Sequence, residues 1–299
     1  MTYIRITSIF IEVKMTENNE PLSKYYRQPS IYITLPSKGK YYSNQVLETT
    51  TTGEFPVLPM TAKDELGFKT PDALMGGQAT VDVIKSCIPN IKDPWQLVNF
   101  DVDTVLLAIR IASYGETMDI TYAVPVTNER PTTTVNLPTL LDNIKNVEVS
   151  DEFNTPHGLK IKVAPLTYRA MTRTQLAQYE QQKIYATVNA STMSEEDKSR
   201  QFATSFAKVN EINFSLLVDS IIQITTSDEQ VVTDKQQIKN FVNNCEAKII
   251  NEVQDKLVEV RQQAQIKPLK IKATEEQIKQ GVPATFDVPI TFDNSNFFG

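Results

Sequence analysis

The stretch SEEDKSRQFATSFAKVNEINFSLLVDSIIQITT, residues 194–226, decides the fold class of this sequence. Apolar residues recur in it every three or four positions, the spacing of one helix face. The members of this stripe are Phe202, Phe206, Val209, Phe214, Leu217 and Ile221. Ser194 precedes three acidic residues and is a typical helix N-cap. We therefore predict one long helix over 194–226, with its apolar stripe buried in a core; the alternative is a partner-binding face.

Two further helices are predicted on either side of this stretch, at 167–190 and 234–264. Thr167 is a suitable cap for the first of them. The second carries its own apolar stripe, formed by Ile238, Phe241, Val242, Ile249, Val253, Leu257 and Val260. A helical hairpin or bundle over 166–265 is the simplest arrangement that buries both stripes.

The chain before residue 166 alternates between short strand patterns and short helix patterns, which predicts a mixed unit over 31–165. Strands are expected at 31–34, 44–50, 54–59, 118–124, 134–137, 145–149 and 159–164, and helices at 60–69, 78–87 and 101–113. Residues 1–30 are predicted to be a flexible arm, of which 1–14 are either an edge strand or an artefact of the chosen start. Strands at 268–273 and 285–292 predict a terminal β-unit and tail over 266–299. The predicted fold class is α+β.

Composition excludes several classes of function. The net charge is −6 and no basic run occurs, so nucleic-acid binding is not expected. The two cysteines, Cys87 and Cys245, provide neither a disulfide framework nor a four-cysteine zinc site. No apolar run approaches the roughly 18 residues of a membrane helix. We expect a protein that folds in a host cytoplasm and binds no membrane.

The sequence shows no arrangement of residues that is typical of catalysis. The single histidine, His157, has no nearby cysteine or second histidine to share a metal or a catalytic role. Asp101 and Asp103 flank a predicted helix start, where carboxylates are favoured by the helix dipole. No nucleotide-binding loop or nucleophile elbow occurs. We expect no enzyme, cofactor or metal; an enzyme with carboxylate chemistry would require Asp64, Asp72 and Asp103 to meet in one cleft.

One charged residue lies within an apolar helix pattern. Arg110 belongs to the predicted helix 101–113, and a buried arginine needs a carboxylate partner. The candidates are Asp64, Asp72 and Asp103, which would form a structural ion pair with it. The alternative is an arginine that faces a binding cleft.

Residues 27–120 resemble the baseplate hub subunit and hub-assembly proteins of T-even-like contractile-tailed phages. The lead-in RQP (27–29) and LPS (35–37) fits the family pattern, and TFDNSNFFG (291–299) is similar to its C-terminal ending. The other residues that carry the resemblance are Pro59, Met60, Thr61, Asp64, Glu65, Lys69, Thr70, Pro71, Asp72, Ala73, Leu74, Ser86, Cys87, Pro89, Pro94, Trp95, Asp101, Asp103, Ala108, Ile109, Arg110, Tyr114 and Gly115.

The resemblance implies a non-enzymatic protein that acts by protein contact, in the virion baseplate or in the host cytoplasm. It is either a component of the baseplate hub or an assembly factor. In the second case it is a chaperone that holds the tape-measure or hub proteins and is absent from the virion. Its partners are then other tail or baseplate proteins. Since aromatic side chains are enriched at interface hot spots, the predicted contact residues are Tyr41, Tyr42, Trp95, Phe297 and Phe298.

Overall fold

The computed structural model describes residues 21–68, 76–127, 129–144, 148–189 and 193–290. Residues 1–14, whose interpretation was left open, and the predicted contact residues Phe297 and Phe298 lie outside the described residues. Within them the fold class is α+β, as the sequence predicts.

The first unit opens with an antiparallel strand pair and three helices. Ile31 of the first strand lies opposite Val57 of the second. The elements are β1 (Ile31–Ile33), β2 (Phe55–Val57), α1 (Ala62–Phe68), α2 (Gln78–Cys87) and α3 (Asn99–Tyr114). A capping box starts α1: the Asp64 N–H donates to Thr61 Oγ1 at 3.2 Å, and the Thr61 N–H donates to Asp64 Oδ2 at 2.8 Å.

Helix α3 is the centre of this unit. Leu107 and Ile109 are fully buried in the first core cluster, together with Ile84 of α2 and Val57 of β2. Because apolar residues occur on nearly every face of α3, the helix is enclosed on all sides. The predicted helix 101–113 is therefore confirmed and begins two residues earlier.

Short elements complete the unit. They are β3 (Thr117–Thr121), β4 (Thr132–Asn136), α4 (Leu137–Ile144), β5 (Glu152–Asn154) and β6 (Lys160–Val163). The strand predicted at 44–50 is wrong. The chain turns there, with the Leu47 N–H donating to the Ser43 carbonyl at 3.0 Å, and Leu47 forms only an isolated bridge with Ile91. Residues 148–149 of the strand predicted at 145–149 are not extended in a sheet, and 145–147 lie outside the described residues.

The predicted hairpin is present, and one sheet fixes both of its ends. Its helices are α5 (Tyr168–Asn189) and α6 (Glu195–Ser220), and the strands that follow are β7 (Ile221–Thr225) and β8 (Val231–Val232). The sheet order is β5-β6-β7-β8, all antiparallel, with Ile161 opposite Ile224. The predicted boundary at 165/166 therefore separates two halves of one sheet.

The helix predicted over 194–226 is six residues too long. Residues 221–225, IIQIT, form β7, because β-branched side chains suit a strand that has an adjacent partner. Ile221 and Ile224 are buried there, in a second core cluster.

The helix predicted over 234–264 is two helices. They are α7 (Lys235–Asn244) and α8 (Ala247–Ala264). Cys245 and Glu246 between them have extended backbone angles, so one helix ends at Asn244 and the next begins at Ala247. Ile238 of α7 and Val253 and Val260 of α8 are fully buried in the second cluster. Their predicted apolar stripe is therefore core.

A small β-unit ends the described chain. It consists of β9 (Leu269–Lys272), α9 (Glu275–Lys279) and β10 (Thr285–Val288). Val288 lies opposite Leu269 in an antiparallel pair, which confirms the two predicted terminal strands. Ile266 and Ile290 pack against the first core cluster, so this unit is attached to the N-terminal half of the chain.

Candidate interaction surface

The hairpin of α5 and α6 extends from the middle of the four-stranded sheet. Its 22- and 26-residue helices are each roughly 35 Å long at about 1.5 Å per residue. Few of their residues are buried: Ala177 and Val188 of α5, and Ser205 and Ile212 in the body of α6. Most of the hairpin surface is therefore available for contact with another molecule.

Trp95 holds the base of the hairpin. Its ring stacks on Tyr168, with 5.5 Å between the centroids and 26° between the planes, and the Arg169 guanidinium lies 5.3 Å from the same ring. The Tyr168 N–H donates to the Leu97 carbonyl at 2.7 Å. Trp95, a predicted contact residue, thus joins the first unit to the hairpin.

The contact between α5 and α6, here called the seam, buries few side chains. Ala177 and Ser205 are small, so they bring the helices together but bury little apolar area. A groove of about 360 Å³ lies along the seam and includes Ile184 and Val209 in its lining. The Lys208 ammonium donates to Glu180 at 2.9 Å across it.

Large apolar side chains are exposed on two opposite sides of the hairpin. Leu176 and Tyr179 are 40% and 50% exposed, and Tyr185 and Phe206 are 56% and 54% exposed. Leu176 and Tyr185 are nine residues apart on α5, which is half a turn beyond two full turns, so they lie on opposite sides.

The side of the hairpin that carries Tyr185 is its aromatic face, formed by Tyr185, Phe202 and Phe206. The Tyr185 and Phe202 ring centroids are 5.1 Å apart. Phe206 was predicted to belong to a buried stripe, and that prediction is wrong. Ser205 and Val209 of α6 line the groove beside α5, and Phe206 does not, so its side chain stays exposed. Solvent-exposed aromatic side chains on a rigid helix are typical of interface hot spots.

A cleft of about 400 Å³ lies at the base of the hairpin, between α6 and α8. Leu217, Leu257 and Val258 supply apolar walls, and Arg261 also lines the cleft. Asn99 lines it too. The Asn99 side chain is 8% exposed, and its Oδ1 has no hydrogen-bond partner among the described residues. An apolar cleft of this kind suits an apolar side chain of a bound segment.

Tyr42, another predicted contact residue, lies within the fold. Its hydroxyl donates to Asp101 Oδ2 at 2.6 Å and accepts from the Val98 N–H at 2.9 Å. The Ser37 N–H and hydroxyl also donate to Asp101, the first of them at 3.0 Å. Burial raises the pKa of Asp101 to about 6, against the opposite effect of these bonds. The Tyr42 hydroxyl therefore joins the loop after β1 to the start of α3.

Tyr41 is half-buried beside a second buried carboxylate. Its hydroxyl donates to Asp151 Oδ2 at 3.3 Å, and the Lys40 ammonium pairs with Asp151 Oδ1 at 2.7 Å. Burial, followed by the charge of Asp151, raises the pKa of Tyr41. The two adjacent tyrosines thus bind two different carboxylates.

Arg110 does not pair with Asp64 or Asp103 in the structure. Its guanidinium lies 4.7 Å from the ring centroid of Tyr114, one turn along α3, and its Nε and Nη1 have no hydrogen-bond partner among the described residues. Burial lowers the pKa of Arg110 and raises that of Asp103 to about 6. The third candidate partner, Asp72, lies outside the described residues.

Arg27, and not Arg110, forms the ion pair with Asp64. Its Nη1 donates to the Pro59 carbonyl at 2.7 Å and lies 3.4 Å from Asp64 Oδ2. Its Nη2 donates to the Ser86 carbonyl and hydroxyl, both at 2.8 Å. Residue 27 was predicted to be part of a flexible arm, yet it ties the chain to α1 and α2. The only sequence signal for it is the family-like RQP lead-in.

The sequence reasoning missed the exposed apolar residues of α5, since only the stripe of α6 was singled out. The spacing of Leu176 and Tyr179, one helical turn apart, was the available signal. Among the described ranges, no group of three histidine, cysteine or acidic side chains is arranged to hold a metal ion. In the same ranges no helix combines the length and apolar character needed to cross a bilayer.

A family model described as "T4 bacteriophage base plate protein" matches residues 28–287, which include both core clusters, the hairpin and nearly all of the terminal β-unit. No curated protein sequence and no solved structure matches the chain significantly.

Proposed function

This chain belongs to the T4 bacteriophage base plate protein family, and we propose that it is a structural subunit of the baseplate hub that acts by protein contact. The partners that the family implies are other tail or baseplate proteins. The observation that supports contact as its mode of action is the hairpin. It exposes large apolar side chains on two sides, and the contact between its own helices does not bury them.

The hairpin is suited to dock between neighbours. It is rigid at its base, where β6, β7 and the Trp95–Tyr168 stack hold it. It presents Leu176 and Tyr179 on one side and Tyr185 and Phe206 on the other. With an apolar contact on each side, one projection can bind two neighbouring subunits.

We propose no bond-making chemistry for this protein. The perturbed carboxyl groups have structural partners or surroundings: Asp101 accepts hydrogen bonds from Ser37 and Tyr42, and Asp103 lies near Arg261. The side chain of Cys87 is buried, and burial raises its pKa to about 12, which opposes thiolate chemistry.

The first test is the location of the protein in an infection. Quantitative mass spectrometry of purified virions, beside the infected-cell lysate, measures the copy number per particle. A small fixed copy number in virions supports a hub subunit. Abundance in the lysate with absence from virions contradicts it and identifies the alternative, an assembly chaperone that holds tape-measure or hub proteins.

The second test addresses the hairpin. Phe206→Gln and Tyr179→Gln each remove an exposed apolar contact from one side of it, and we expect either to reduce incorporation into tails at least tenfold while the melting temperature is unchanged. Val231→Gln is the control, because Val231 is 59% exposed on β8, outside the hairpin. Normal incorporation of both hairpin variants would refute docking through this surface.

A further inference from the structure

The aromatic face of the hairpin forms one continuous apolar stripe across both helices. Tyr185 of α5 and Phe202 of α6 have ring centroids 5.1 Å apart, and Phe206 follows Phe202 by one helical turn. Tyr185 and Phe206 are 56% and 54% exposed. Covering these rings with a second apolar surface removes that area from water, which stabilises the covered state.

The α5 part of this face has no charged side chain. At about 100° per residue, every charged residue of α5 points at least about 120° away from Tyr185. These residues are Arg169, Arg173, Glu180 and Lys183. Gln178, which is exposed and lies two turns before Tyr185 on the same side, is polar but uncharged.

The α6 part of the face has the same character. Between residues 199 and 214, the charged side chains point at least about 120° away from Phe206. They are Arg200, Lys208 and Glu211. Asn210, exposed beside Phe206, is uncharged. At the tip of the hairpin, Glu195 is neutralised by Lys198 at 2.9 Å.

A face without charge is where two copies of an acidic chain meet most easily. The chain has a net charge of −6, so two copies repel each other at long range. The opposite side of the hairpin differs, because Glu180 and Lys208 pair there at 2.9 Å and Arg200 lines the same groove. That charged side suits a partner with complementary charges, whereas the aromatic face suits an uncharged apolar surface like itself.

A second hairpin also has the dimensions that the aromatic face requires. Two packed helices, each about 10 Å wide and roughly 35 Å long, present about 700 Å² on one side. Two such sides bury about 1,400 Å² in total, within the range of about 1,200–2,000 Å² that is typical of stable interfaces. Because a two-fold axis places identical stripes on each other, the two hairpins form a four-helix bundle.

The charges at the rim of the face indicate how the hairpins pair. Helix α5 has three cationic side chains and one acidic side chain, whereas α6 has five acidic and three cationic ones. A two-fold axis parallel to the hairpin places α5 of each copy on α6 of the other. Helices of opposite net charge are then neighbours throughout the bundle.

We propose that the aromatic face binds the aromatic face of a second copy of this chain, so that the protein is a symmetric dimer. Tyr185 of one copy then packs between Phe202 and Phe206 of the other. This inference rests on the proposed role of the hairpin as a contact surface, and it names the partner of one of its two sides. The side with Tyr179 stays free for a different subunit.

The test is the oligomeric state of the purified full-length chain, measured by sedimentation equilibrium. We expect a dimer with a Kd of about 10 µM or tighter. Phe206→Gln and Tyr185→Gln should each weaken the dimer at least tenfold. Tyr179→Gln is the matched control and should leave the Kd unchanged, because Tyr179 is 50% exposed on the opposite side of the same hairpin. Circular dichroism shows whether each variant is folded.

Disulfide formation between copies checks the arrangement of the helices. Gln178 of α5 and Asn210 of α6 are exposed on the aromatic face. When Gln178→Cys and Asn210→Cys chains, each in a Cys245→Ser background, are mixed and mildly oxidised, we expect at least tenfold faster linkage between the two variants than within either one. Faster linkage of each variant with itself overturns the pairing of α5 with α6.

Three results of the sedimentation experiment overturn the dimer. They are a folded monomer at about 100 µM, a dimer that Tyr179→Gln weakens as much as Phe206→Gln does, and a dimer that neither aromatic-face variant weakens. The copy number in virions, which decides the hub role, is measured independently of all three. A monomeric chain whose Phe206→Gln variant fails to enter tails would assign the aromatic face to a different baseplate protein.

Discussion

The hydroxyl of Tyr42 donates a 2.6 Å hydrogen bond to Asp101, a carboxylate that is 0% exposed at the start of α3. The same hydroxyl accepts the N–H of Val98, the N-cap residue of that helix, which has no side-chain cap of its own. A single phenol thus satisfies a buried charge and a helix end, and it contacts both core clusters. Tyr42 is therefore one of the residues that join the two core clusters.

Tyr42→Phe is expected to destabilise the protein by about 2–4 kcal/mol, because it leaves a buried carboxylate and a helix N–H without this partner. Tyr41→Phe is the matched control: its hydroxyl makes one 3.3 Å bond to Asp151, so we expect a loss below about 1 kcal/mol. Urea denaturation of both variants measures the difference. Equal losses of stability would show that the Tyr42–Asp101 hydrogen bond contributes no more than the Tyr41–Asp151 bond.

Asp103→Asn is expected to stabilise the protein at neutral pH. Burial raises the pKa of Asp103 from 3.8 to about 6, so the folded state holds its proton more tightly than the unfolded state. This group's contribution to stability therefore falls as pH rises from about 4 to about 6, and stays low above that. Asn cannot ionise, so we expect a gain on the order of 1–2 kcal/mol near pH 7.5 that disappears near pH 4.

The pH dependence is checked by denaturation of the Asp103→Asn variant at a series of pH values. Asp255→Asn, on the exposed side of α8, is the control for replacing a carboxylate on a helix. A gain for Asp103→Asn that is the same at pH 4 and pH 7.5 would contradict a titration origin.

Arg27→Ala is expected to lower stability by about 2–3 kcal/mol, because it removes bonds to Ser86 and Pro59 and leaves the half-buried Asp64 without its cation. Arg200→Ala is the control: its 3.7 Å pair with Glu196 is exposed and contributes little. Thermal melting compares the two. Similar small effects would mean that the N-terminal segment is not anchored through Arg27.

Gly77→Ala tests the close approach between the first unit and the hairpin. Gly77 has φ +73°, and an added Cβ would lie 3.1 Å from Tyr168 Oη and 3.2 Å from Trp95. Gly53 has φ +74° with nothing within 4 Å, so Gly53→Ala measures the backbone cost alone, roughly 1 kcal/mol. We expect Gly77→Ala to cost about 1–3 kcal/mol more in denaturation experiments. Equal losses of stability for the two variants would show that Tyr168 and Trp95 shift to make room for the added Cβ at little cost.

The sequence predicted the elements that have strong local signals. The cap at Ser194 and the helix at 78–87 are both present, because each depends on residues close together in the chain. It misplaced the end of α6 because IIQIT continues a helical stripe and also suits a strand. Only the distant partner β6 decides between the two, and periodicity contains no information about it.

For the candidate interaction surface too, features set by distant partners were not predictable from the local sequence. Exposed aromatic residues on a helix look like core residues when only one helix of the pair is considered, so Phe206 was assigned to the interior. Tyr42 was assigned to the surface because the polar loop around it gives no sign of Asp101, 59 residues away. Asp64 was one of three candidate partners for Arg110, because a buried arginine needs a carboxylate. The polar segment around Arg27 gives no sign that its guanidinium lies beside Asp64.

The position of the hairpin between β6 and β7 has a kinetic consequence. Strands that are neighbours in space, with the whole of α5 and α6 between them in the chain, are slow to meet in an open chain, since closing a longer loop costs more entropy. Once the two helices pair, the ends of that loop are brought together and the cost is largely removed. Refolding should therefore be limited by helix pairing, and substitutions at Ala177 or Ser205 should slow the appearance of the sheet, although neither residue belongs to it.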